Sequence, residues 1–75
     1  MIRVVIKLDW NIIAPDILCL KQQFSSLEVA EAFMQGAAMN GSFIEAYDEN
    51  AREPERSMYV NVKHIAYFTF HKERG

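Results

Sequence analysis

A chain of 75 residues and 8.7 kDa has room for one compact domain and not for two. Hydrophobic residues at 51% against charged residues at 24% exclude a disordered chain. The formal net charge of −2 disfavours a strongly basic nucleic-acid module, leaving only a local basic patch, and the single cysteine excludes an internal disulfide framework or a multi-cysteine zinc site.

The chain opens on an alternating segment. Over residues 2–8, Ile2, Val4, Ile6 and Leu8 fall on one side and Arg3, Val5 and Lys7 on the other, the pattern of a half-buried strand. Charges at Arg3, Lys7 and Asp9 interrupt this stretch, so it does not read as a signal peptide. No uncharged apolar run approaches the ~18 residues of a membrane helix. A cytoplasmic location and no membrane partner are the expectation. Pro15-Asp16 suits a turn, and residues 17–23 form a second apolar run that pairs antiparallel with the first.

Phe24-Ser25-Ser26-Leu27-Glu28-Val29 reads as a helix start. Ser25 as N-cap and Glu28 as N3 make a capping box, and Phe24 with Val29 makes a hydrophobic staple. The helix is expected to run to about Met39 and to stop at Asn40-Gly41. Its buried stripe is Ala30, Phe33, Met34 and Ala37. Gly36 inside the helix suggests close packing on the sheet.

A third strand spans 42–47, with Phe43, Glu45 and Tyr47 on one side. The polar segment 48–56 reads as a solvated hairpin loop. Strand alternation resumes over 57–62, bends at Lys63-His64 and continues over 65–71, and residues 72–75 form a frayed tail. The predicted fold is a single α+β domain over residues 1–75. An antiparallel sheet of four to five strands, in the order β-β-α-β-β, carries one helix on one face. The helix-covered face takes Ile2, Val4, Ile6, Leu8, Leu18, Leu20, Met58, Val60, Val62, Phe68 and Phe70.

The opposite face then carries a surplus of apolar and aromatic residues: Val5, Ile17, Cys19, Tyr59, Ile65, Tyr67 and Thr69. A mixed patch of that kind marks an interface, and small domains enlarge their core by self-association. Val5, Tyr59, Ile65 and Tyr67 are therefore the self-association candidates of a homodimer. A one-residue slip at the Lys63 bend would instead turn Ile65 and Tyr67 inward.

Catalytic and metal chemistry find little support. Cys19, His64 and His71 lack the close spacing of a metal site, and Cys19 adjoins no feature that would lower its pKa. Asp48, Glu49, Glu53 and Glu55 sit in a loop too polar to desolvate a catalytic carboxylate. No glycine-rich phosphate loop is present. No catalytic residue, metal or cofactor is expected. The leading expectation is a non-enzymatic, protein-binding regulatory module that self-associates, of the kind found among small bacterial or phage accessory and inhibitor proteins. Its partner-binding residues would be Trp10, Arg52, Glu53 and Arg56, because aromatic and guanidinium groups anchor interfaces. The alternative is single-stranded nucleic-acid binding on an aromatic and basic sheet face of Tyr59, Lys63, Tyr67, Lys72 and Arg74.

Overall fold

The structure, a computed structural model, describes residues 1–9, 16–50 and 57–73. Its elements are β1 (Ile2–Leu8), β2 (Ile17–Leu20), α1 (Leu27–Asn40), β3 (Phe43–Tyr47), β4 (Ser57–Asn61), a 3-10 turn at Val62–His64, and β5 (Ile65–Lys72). The expected α+β domain is present: one antiparallel sheet in the order β4-β3-β2-β1-β5, with α1 on one face. The last predicted strand is two strands, β4 and β5, which lie on opposite edges of the sheet. The turn between them starts where Asn61 Oδ1 accepts the amide of Lys63 at 3.0 Å.

Alternation sorts β1 as read. Val4, Ile6 and Leu8 are buried under the helix, while Arg3, Val5 and Lys7 face the other way. The neighbours opposite them share a face: Ile6 with Leu18 and Phe68, Val4 with Phe70, Leu20 with Ala46, and Ile44 with Val60. The core is completed by Phe24, Ala30, Met34 and Ala37, with Ile2, Phe33, Met58, Val62, Ile65 and Phe70 packed around it.

Four local readings are corrected. The helix cap is Ser26, not Ser25, and its hydroxyl accepts the amide of Val29 at 3.3 Å. Phe24 explains the shift. Its amide and carbonyl both bond to Ile2, at 2.9 and 2.6 Å, which holds the chain extended for one residue longer. Position N3 is then Val29, which is 49% exposed and cannot return a capping-box bond, and Phe24 packs on Phe33 at 5.1 Å instead of stapling to Val29. The second strand ends at Leu20, not at residue 23, because Lys21, Gln22 and Gln23 loop out before Phe24 rejoins β1.

Gly36 does not make a close approach. A Cβ there would meet nothing within 4 Å, and it is Ala30 and Ala37 that let the helix sit down on the sheet. Finally, Lys72 belongs to β5, and the amide of Glu73 donates to the carbonyl of Met1 at 2.8 Å, so sheet pairing reaches into the first two residues of the expected frayed tail, and residues 74–75 lie outside the described residues. The helix stop is as read: Gly41 takes φ 62°, and the amides of Gly41 and Ser42 return to Ala38 and Ala37.

Candidate interaction surface

The sheet face without the helix is ordered by register. One row crosses all five strands: Ser57, Tyr47, Cys19, Val5 and Thr69. Towards one end lie Tyr59, Glu45, Arg3 and His71, and beyond them Phe43 and Asn61. Towards the other end lie Ile17, Lys7 and Tyr67.

The centre of this face is closed by charge. Arg3 reaches Glu49 Oε2 at 2.5 Å from Nη1 and Glu73 Oε1 at 2.7 Å from Nε, drawing together the start of the β3–β4 connection and the end of β5. The same guanidinium lies 3.8 Å from the Cys19 sulfur. Burial, with the charge of Glu49 beside it, pushes the Cys19 thiol up, so it stays protonated and is a poor nucleophile at neutral pH. Lys7 pairs with Asp16, whose carboxyl is held below its usual range by that hydrogen bond, and Lys21 lies 3.7 Å from Glu45. Among the described residues, Arg3, Lys7 and Lys21 on this side each carry an intramolecular carboxylate.

The apolar and aromatic groups behave differently. Tyr59 is 71% exposed, Phe43 64%, Tyr67 58% and Ile17 55%. They form two clusters at diagonally opposite corners, Phe43 with Tyr59 on β3–β4 and Ile17 with Tyr67 flanking Lys7 on β1. Phe43 was not singled out from sequence. Pairing the strand at 42–47 with the one at 57–62 would have found it, because Phe43 and Glu45 share a face with Tyr59 in that hairpin.

The residues expected to act together are dispersed. Tyr59 lies on β4 and Tyr67 on β5, four strand spacings or about 19 Å apart. Val5 is half-buried between them on β1. Ile65 is not on the open face at all. A register shift between Lys7 and Leu8 sets Ile65 opposite Leu8, and its side chain packs against the core while Tyr67 stays outside. Of the nucleic-acid set, Lys63 is exposed on the 3-10 turn, and Lys72 stands opposite Ile2 on the helix side of the sheet. Trp10, Arg52, Glu53, Arg56 and Arg74 lie outside the described residues.

Cys19 sits in the centre of the sheet, His71 on the edge strand and His64 in the turn, 3.7 Å from Asp9 through Nδ1. Among the described residues no three His, Cys, Asp or Glu side chains form a group that could hold a metal ion. Also among them, no helix is long and apolar enough to cross a membrane.

On the helix side, the sheet edge is only partly covered. Phe68 is 37% exposed although it shares a face with Ile6, and its ring meets Phe70 edge-on at 5.6 Å. Met34, Ala38, Val62 and Ile65 line a shallow hollow on one side of this aromatic pair, and Ile2, Ser26, Leu27 and Lys72 line another. No family model, no curated protein and no solved structure matches this chain.

Proposed function

We propose that this chain is a non-enzymatic binding module that recognises protein surface and associates with itself. The observation that carries this reading is the contrast on the uncovered sheet face. Phe43, Tyr59, Ile17 and Tyr67 are exposed there, while Arg3, Lys7 and Lys21 are already engaged by carboxylates. Aromatic side chains supply contact area at low entropic cost, and they are enriched at protein interfaces. Cations whose charge is met internally have little to offer a phosphate backbone. Releasing them would cost the pairs that hold Glu49, Glu73 and Asp16 in place. The module would act by occupying or masking a partner's surface rather than by transforming a substrate.

The test is sedimentation from micromolar to millimolar concentration, with a parallel titration of single-stranded oligonucleotide at two salt concentrations. Self-association without oligonucleotide binding supports the reading. Tight oligonucleotide binding that weakens steeply with salt would replace it with nucleic-acid recognition, and a monomer at millimolar concentration would remove the self-association half.

A further inference from the structure

The outer side of β5 is a strand template with no strand on it among the described residues. Its hydrogen-bonding phase follows from the register. Ile2 spends both its amide and its carbonyl on Phe24, away from β5, while Glu73 donates to Met1. Antiparallel pairing alternates. Arg3–His71, Val5–Thr69 and Lys7–Tyr67 are therefore the bonded pairs of β1 with β5, and the backbone groups of Phe68, Phe70 and Lys72 point outward. Edge strands of natural domains are blunted by shortness, proline or charge. Here the edge is eight residues long, contains no proline, and has no Asp, Glu, Lys or Arg before Lys72 at its end.

We propose that β5 is the seam of a homodimer, pairing antiparallel with β5 of a second copy to make one continuous ten-stranded sheet. This rests on the self-association reading above and names the surface that performs it. A second copy is the fitting occupant because the edge is complementary to itself. About a twofold axis at Thr69, Phe68 exchanges both backbone bonds with Phe70 of the second copy, and the axis duplicates the pair. Thr69 then faces its own counterpart, Tyr67 faces His71, and the single lysine, Lys72, falls opposite Ala66. No like charges meet, and aromatic pairs on the bonded positions are favourable cross-strand neighbours.

The axis stands perpendicular to the sheet, so both helices lie on the same side. The exposed edge of the Phe68–Phe70 pair, flanked by its two hollows, is then enclosed between them. The opposite edge, β4, has five residues. A head-to-tail pairing of β4 with β5 would generate an open series, whereas β5 with β5 closes at two copies.

Amide exchange read residue by residue tests the seam. In a sample that sediments as a dimer, the amides of Phe68, Phe70 and Lys72 should exchange at least about tenfold more slowly than unprotected amides, alongside the inward-bonded Tyr67, Thr69 and His71. Phe68→Lys should weaken the dimer by about tenfold or more, and Gln22→Lys, exposed in the loop after β2, should leave it intact. Should Phe68→Lys fail to fold, the exchange measurement on the unaltered chain still decides. Unprotected outer β5 amides in a sedimenting dimer would overturn the seam while leaving self-association standing. Protection of Ser57, Tyr59 and Asn61 instead would move the seam to β4. Assemblies larger than a dimer would favour the head-to-tail pairing, and a monomer at millimolar concentration would overturn both the seam and the reading it rests on.

Discussion

The helix start turns on which serine is in place to cap it. Ser26 holds the amide of Val29, whereas Ser25 is a link between the Phe24 bridge and the cap. Ser26→Ala should therefore cost about 1 kcal/mol in chemical denaturation and Ser25→Ala close to nothing. Gly36 offers the opposite change. With open space where a Cβ would stand, Gly36→Ala removes backbone freedom from the unfolded chain and should stabilise by roughly 0.5–1 kcal/mol, seen as a higher denaturation midpoint.

Cys19 supplies a pH signature. Its folded pKa is raised from 9.0, so the folded state holds the proton more tightly than the unfolded state does. The stability it contributes is complete below the unfolded pKa and is lost as pH rises through the folded one. Unfolding midpoints should fall above about pH 9, and Cys19→Ser should flatten that limb. Asp16 has the reverse sign. Its carboxyl is lowered by Lys7, so the contribution of that pair is present above the ordinary carboxylate range and is lost on acidification.

Among the elements, β1 is the organising strand. It pairs with β2 on one side and β5 on the other, takes the Phe24 bridge and packs Val4, Ile6 and Leu8 under the helix. Ile6 is wholly buried between Leu18 and Phe68 in register. Ile6→Ala should cost about 2–5 kcal/mol, enough to leave a domain of this size largely unfolded at 37 °C by circular dichroism. On the other face of the same strand, Arg3 works through its two carboxylates. Arg3→Ala would leave Glu49 and Glu73 facing each other's field over the sheet centre. The elements least committed to the core are the edge strands. On β5, six of the eight residues are exposed, including Phe68 on the helix side.

At the scale of the whole molecule, a single short helix cannot cover five strands. α1 packs against β1 and the 3-10 turn on one face, which among the described residues leaves the other face without a covering element and the aromatic edge of β5 only half shielded. A 75-residue chain buries a modest share of its surface, and association is the ordinary route by which such a chain extends its core. Stability should accordingly depend on protein concentration. The midpoint of thermal unfolding should rise between micromolar and millimolar samples, and Tyr67→Glu, beside the β5 seam, should reduce that dependence.

The sequence by itself determined the element order, the two faces of the strands before the Lys63 bend and the glycine stop of the helix. These rest on local physics: period-two alternation places Val4 and Ile6 together whatever their neighbours, and an Asn-Gly step takes the left-handed turn without help. It also determined the buried helix stripe, because Ala30, Met34 and Ala37 repeat at the spacing of one helix face. The tertiary structure decided what depended on partners distant in the chain. Phe24 reaching back to Ile2 moved the cap from Ser25 to Ser26, a contact across 22 positions that no window around residue 25 contains.

The strand order β4-β3-β2-β1-β5 set Tyr59 and Tyr67 on opposite edges, although they are eight positions apart in the chain. One register shift beside Leu8 sent Ile65 to the core and left Tyr67 outside. Charge pairing was hidden for the same reason. Arg3 meets Glu49 and Glu73 only because β1 lies between β2 and β5, and Lys7 and Lys21 meet Asp16 and Glu45 on the same face. Side-chain chemistry and periodicity are local properties that a sequence carries directly. Adjacency across a sheet follows from how the whole chain closes its core, and only the folded molecule fixes it.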